Sequence, residues 1–146
     1  MKKITLLFTI LTASFGFSQN GGDTCGAAVA VTPGSFTQTE FTGTGAELGT
    51  GVGSAWFVYT PTEDASIVVS SCNGGSDTYL AIGTGTCGSL NLAGSNDDFC
   101  STSEGGSAYA SQVSIPVTAG TDYYIEWSNR WSSGPFNWSI EEIACP

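Results

Sequence analysis

The chain is 146 residues long, with 13 acidic side chains against 3 basic ones, a formal charge of −10 and no histidine. At about 100 to 200 residues per domain this length holds a single domain, and three cations cannot supply the basic stripe that phosphate neutralisation needs, which excludes nucleic acid as a partner. The missing histidine removes the commonest general base and the commonest metal ligand, while 12% aromatic against 11% charged residues point to a packed core rather than disorder.

Residues 1–18 begin with Lys2 and Lys3, continue through Ile4-Thr5-Leu6-Leu7-Phe8-Thr9-Ile10-Leu11, and end among the small residues Ala13, Ser14, Gly16 and Ser18. A charged start, a short apolar run and a small-residue exit are the layout of a secretory signal peptide. The run is too short for the ~20 apolar residues of a membrane span. Cleavage is expected near Ser18 or Gln19 and removes both lysines. The mature chain then carries Arg130 and 13 acids, 1 − 13 = −12, a charge that favours solubility and leaves carboxylates for water, dipoles or bound cations. The expected layout is a signal peptide over 1–18, an N-terminal segment over 19–26, a β-domain over 27–144, and the start of a linker at 145–146. The location that follows is secreted or cell-surface, with no membrane span once the signal is removed and with further domains covalently joined downstream.

Beyond the signal no stretch has helical periodicity. Short apolar runs recur instead between Gly, Ser, Thr and Asn clusters, the pattern of a sandwich or barrel. Strands are predicted over 28–32, 35–41, 55–60, 66–71, 78–83 and 89–94. In Val113-Ser114-Ile115-Pro116-Val117 the apolar residues alternate strictly, and Pro116, which lacks an N–H, points to an edge strand or to a position whose N–H would face solvent. Tyr123, Ile125 and Trp127 share one strand face, and Phe136, Trp138 and Ile140 another, so both sets are predicted core. The fold class is all-β: a two-sheet antiparallel β-sandwich of jelly-roll type, with about eight or nine strands. The glycine-rich segment 43–53 lacks the lysine and following helix of a phosphate-cradling loop, which leaves a flexible surface loop.

Cys25, Cys72, Cys87, Cys100 and Cys145 in a secreted chain imply disulfides, with one thiol left over. In an up-and-down meander, strand direction puts Cys72 and Cys100 at one end of the sandwich and Cys87 at the other. The expected bridge is therefore Cys72 to Cys100, worth about 3.5 kcal/mol in the chain-entropy model. Cys25 and Cys145 flank the first and last strands and would clip the termini if those strands were antiparallel neighbours. Cys87 is then free, or paired beyond Pro146. No Cys-x-x-Cys spacing suggests zinc.

Several pieces carry a resemblance: Ser70-Ser71-Cys72, Ser76-Asp77-Thr78-Tyr79-Leu80-Ala81-Ile82, Gly85-Thr86-Cys87-Gly88-Ser89-Leu90, Asn96-Asp97-Asp98, Ala119-Gly120-Thr121-Asp122-Tyr123-Tyr124-Ile125 and Pro135-Phe136-Asn137-Trp138. Together they resemble the pre-peptidase C-terminal type of secreted bacterial β-sandwich, itself distantly similar to CUB domains. The resemblance implies a non-catalytic accessory domain on an exported peptidase, adhesin or other surface protein, often in bacteria using type IX export. Many such domains carry a cysteine where this chain has Ser95.

Two constellations remain as candidate sites. Asp77, Asp97 and Asp98 fall at one predicted end of the sandwich, and carboxylates with loop carbonyls and water are the ligands that calcium takes. CUB domains place an acidic cluster similarly, so the resemblance implies Ca²⁺ as a cofactor. The same residue types also form turns by bonding their own backbone, and that reading stands beside the first. In Trp127-Ser128-Asn129-Arg130-Trp131, parity sends Trp127 inward and leaves Trp131, with Asn129 and Arg130, as a platform for a sugar or an extracellular protein. Arg130 serves equally as a local ion-pair or cation–π partner. No enzyme is expected: adjacent acids in a short turn lack the cleft of a glycosidase, and no serine nucleophile has a histidine base. The functions in view are an accessory or binding module, a carbohydrate-binding module using Trp131, and a structural spacer or adhesin repeat.

Overall fold

The computed structural model describes residues 17–49, 51–100 and 108–144. Most of the proposed signal segment, Cys145 and the proposed linker lie outside those residues. Among the described residues no helix is long and apolar enough to cross a membrane.

Among the described residues ten strands form: β1 (Phe17–Ser18), β2 (Val29–Ala30), β3 (Gly34–Gln38), β4 (Ser54–Tyr59), β5 (Ala65–Ser70), β6 (Tyr79–Thr86), β7 (Ser89–Asn96), β8 (Gln112–Val117), β9 (Tyr123–Ser128) and β10 (Phe136–Ala144), with one 3₁₀ turn at Cys25–Ala27. Each strand expected from the alternating pattern is present, and β1 is the addition. One sheet has the order β1-β3-β10-β5-β8 and the other β2-β4-β9-β6-β7. Strand β3 pairs antiparallel with β10, β4 with β9, β5 with β8 and β6 with β7. A hairpin-like ribbon folded at β6–β7 and rolled into two sheets produces these nested pairs, which is the jelly-roll topology. Strands β1 and β2 add to it by parallel pairing.

Burial follows the period-2 rule. In β5, Ala65, Ile67 and Val69 are buried while Ser66, Val68 and Ser70 face outward, and in β8 Val113, Ile115 and Val117 are buried. Pro116 lies on β8, the outer strand of its sheet, where a residue without an N–H is tolerated. The centre of the core is aromatic. Trp138 stacks on Phe36 with ring centroids 4.6 Å apart and meets Phe57 at 4.7 Å, while Trp127 meets Phe136 edge-on at 5.1 Å. Both expected core faces, Tyr123/Ile125/Trp127 and Phe136/Trp138/Ile140, are buried.

The cysteines correct one expectation and uphold another. Cys72 bonds Cys100, as strand direction predicted, although β5 and β7 lie in different sheets, so the bridge staples the sheets together at one end. Cys25 bonds Cys87, not Cys145. The terminal clip required the first and last strands to be neighbours. Instead β2 borders β4 in one sheet, while β10 runs between β3 and β5 in the other. The 3₁₀ turn at Cys25–Ala27 brings Cys25 to the β6–β7 turn, where Cys87 sits, so Cys87 is no orphan. Two disulfides are compatible with an oxidising, extracellular compartment.

The glycine-rich segment is a surface loop, but a fastened one. Gly45 N–H donates to the Val52 carbonyl at 2.9 Å, and Gly53 N–H donates to Asn129 Oδ1 at 2.8 Å. The loop lies on the outer face of the β2-β4-β9-β6-β7 sheet and can approach only because side chains are missing: a Cβ on Gly49 would stand 2.9 Å from the Tyr79 ring, and one on Gly83 2.7 Å from the Leu48 side chain. Gly83→Ala is therefore expected to loosen this strap while sparing the core, seen as faster hydrogen exchange at Leu48 and Gly49 with unchanged protection of β9.

Candidate functional site

Register alone explains how the two sequence constellations meet. Leu80 of β6 pairs with Asn96 of β7 on one side, and Tyr79 pairs with Ser128 of β9 on the other. The residues just outside those pairs, Asp77 before β6, Asp97 and Asp98 after β7, and the segment 129–131 after β9, must then emerge at one end of the sandwich. One carboxylate oxygen from each of Asp77, Asp97 and Asp98 lies within 4.8 Å of the others. The Trp131 indole N–H donates to Asp97 Oδ1 at 2.7 Å, and the Arg130 guanidinium sits over the Trp131 ring, 4.5 Å from its centroid. The indole remains 53% exposed, whereas Trp127 is fully buried, as parity predicted.

A buried hydroxyl network holds this end rigid. Ser71 and Thr78 hydroxyls share a hydrogen bond of 2.8 Å, and Ser111 N–H donates to Thr78 Oγ1 at 2.9 Å. The Ser111 hydroxyl is aimed at the carbonyls of Thr78, Asn96 and Asp97, at 2.6, 3.0 and 2.9 Å. Ser111 is fully buried, and its one hydroxyl proton is shared among these three converging carbonyls, away from water. With the Cys72–Cys100 bridge alongside, the network pins the backbone on either side of the acidic turn.

The acids are electrostatically unsettled. Burial, and then the charges of Asp98 and Asp97, hold the Asp77 carboxyl above its usual range. Its Oδ1 is buried and has no hydrogen-bond partner among the described residues. Chemically the cluster is a set of three converging hard oxygen donors, the kind of set that a divalent ion relieves.

Two features were not foreseen. Asn129 also tethers the strap, its Oδ1 accepting the Gly53 N–H. Glu126, on the outward face of the central strand β9, is fully buried because the strap covers it. Its Oε2 accepts the N–H groups of Leu48 and Gly49 at 2.7 and 3.0 Å, while Oε1 has no hydrogen-bond partner among the described residues. Burial outweighs those bonds and pushes its carboxyl above the ordinary value, with the Glu47 charge adding to the rise. Position parity marks Glu126 as solvent-facing. The only sequence hint of its burial is the length of the glycine-rich segment, which has to lie against something.

Comparison with protein-family models, with curated proteins and with solved structures returned no match. Fold and disulfides define the chain as a disulfide-bonded, two-sheet β-sandwich of jelly-roll topology.

Proposed function

We propose that this chain is a secreted, non-catalytic accessory module of the pre-peptidase C-terminal type, carried on a larger exported peptidase, adhesin or surface protein, whose acidic end holds calcium and presents Trp131 and Arg130 to an extracellular partner. The observation that carries this reading is the convergence of the Asp77, Asp97 and Asp98 carboxylates within 4.8 Å, with Trp131 hydrogen-bonded to one of them. A cation there would offset the mutual repulsion of the acids and fix the loop that bears the indole. Absence of histidine from the whole sequence supports a module without general-base chemistry.

The test is thermal. A cation at a hundred times its Kd stabilises a fold by about 2.7 kcal/mol, so the melting temperature is expected to rise by several degrees in millimolar Ca²⁺ and to fall back in EDTA. Asp97→Asn, which keeps a hydrogen-bond acceptor for Trp131, should abolish the calcium response. An identical melt in Ca²⁺ and EDTA removes calcium from the proposal. The exposed indole supports a second reading, a sugar ring stacked on the face opposite Arg130. Its signature is loss of polysaccharide retardation in Trp131→Ala.

A further inference from the structure

The outer face of the β1-β3-β10-β5-β8 sheet carries a polar trough that crosses the strands. The register aligns four outward residues from strands distant in sequence: Gln112 of β8 pairs with Ser70 of β5, Ser70 with Ser139 of β10, and Ser139 with Ser35 of β3. With strands about 4.8 Å apart this row runs about 14 Å across the sheet. Three of its four members are serines, so the row forms a low floor.

Longer side chains stand on either side of the row. Two strand positions further along β10, on the same face, is Glu141, and Asn73 rises from the connection after β5. Between these walls lie two adjoining hollows of about 210 and 180 Å³, which share Ser70, Asn73, Ser139 and Glu141 and so form one continuous depression.

The lining defines the ligand. It offers amides, hydroxyls and one carboxylate, and no cation, in a chain whose residues from 19 onward carry 1 − 13 = −12. Polyanions are therefore repelled. Trp138 borders the second hollow but is only 2% exposed, so it gives no stacking face, and recognition must rest on hydrogen bonds. The groups for that are available. Among the described residues Asn73, Ser35, Ser139 and Glu141 make no side-chain hydrogen bond, and Gln112 Oε1 faces Cys72 Sγ at 3.8 Å, a disulfide sulfur with no proton to donate. Amides that donate and accept, hydroxyls that do both, and a carboxylate that only accepts are the complement of vicinal hydroxyls.

We infer that this trough is a binding site for a short stretch of neutral glycan, separate from the acidic end and independent of calcium. The connection between β5 and β6 serves both places, giving Asn73 to the trough and Asp77 to the acidic cluster.

The test is native affinity electrophoresis of the protein in gels containing β-glucan, mannan, xylan or galactan, with a polyanionic pectin as a further lane, all in EDTA. At least one neutral polysaccharide should retard the protein and pectin should not. Ser139→Tyr, which fills the middle of the floor with a residue suited to a strand, should weaken retardation at least tenfold. Asn73→Ala should weaken it severalfold without altering β10. Trp131→Ala should leave it unchanged. The inference is overturned by wild-type mobility equal in every neutral gel, by retardation in pectin alone, or by retardation that survives Ser139→Tyr and is lost in Trp131→Ala, which would place the sugar on the indole. It is also overturned if Ser139→Tyr instead abolishes a concentration-dependent dimer on size exclusion, because the trough's occupant is then a second copy of the chain.

Discussion

Cys25→Ala with Cys87→Ala is expected to cost about 4 kcal/mol of stability in the chain-entropy model, more than loss of Cys72–Cys100. The two bridges close loops of different length, with sequence separations of 62 and 28, and the entropy that a cross-link removes from the unfolded chain grows with the logarithm of that length. Opening Cys72–Cys100 should then cost about 3.6 kcal/mol by the same relation. Native contacts widen the gap. Cys25 is buried and lies in the segment that packs against the sheet through Gly22, whose N–H and carbonyl both bond Trp56, at 2.8 and 2.9 Å. Freeing Cys25 therefore releases that segment together with the β6–β7 turn. Urea unfolding of the two double variants measures the difference, and a non-reducing peptide map should recover Cys25 joined to Cys87. A peptide joining Cys25 to Cys145, or a smaller loss for the 25/87 pair than for the 72/100 pair, would contradict this account.

Glu126 should make the strap sensitive to pH. Its folded-state carboxyl titrates above the ordinary value of 4.5, so between that value and the raised one the folded protein holds a proton that the unfolded chain has released. The resulting stability is fully present below the ordinary value and is lost as pH rises through the raised one. Among the described residues the strap's Glu47 adds a charge that favours the protonated form, and the Tyr79 ring packs beside Gly49, next to the carboxyl.

Glu126→Gln keeps an oxygen for the Leu48 and Gly49 N–H groups and removes the buried charge. It should match the wild type near pH 4 and exceed it at pH 8. Glu126→Ala leaves two donors unpaired beneath the strap, at about 1–3 kcal/mol each while they stay buried, so a loss of about 2 kcal/mol or more is expected at every pH. Urea midpoints at pH 4, 6 and 8 distinguish these outcomes. A gap between wild type and Glu126→Gln that stays constant over that range would show that the carboxyl does not titrate with folding.

Much of this architecture is legible without coordinates because a strand's inside and outside are decided locally. Alternation in 113–117, the shared face of Tyr123, Ile125 and Trp127, and the displacement of Pro116 to an edge all follow from the period of the backbone and one missing N–H. The same parity sends Trp127 inward. The candidate acidic site was half legible: strand direction brings Asp77 near Asp97 and Asp98, but only the pairing of Tyr79 with Ser128 adds Trp131 to it.

The amino-acid sequence by itself determined every described strand but β1, the faces those strands turn to the core, the aromatic core and the Cys72–Cys100 bridge. Tertiary structure alone decided that Cys25 meets Cys87, that an outward-facing Glu126 is roofed by the strap, and that Ser35, Ser70, Gln112 and Ser139 line up as one floor. The division has one physical cause. Which way a side chain points depends on its neighbours along the chain, whereas what it faces depends on which strands pair and in what register, and in a rolled jelly-roll ribbon those partners lie tens of residues away.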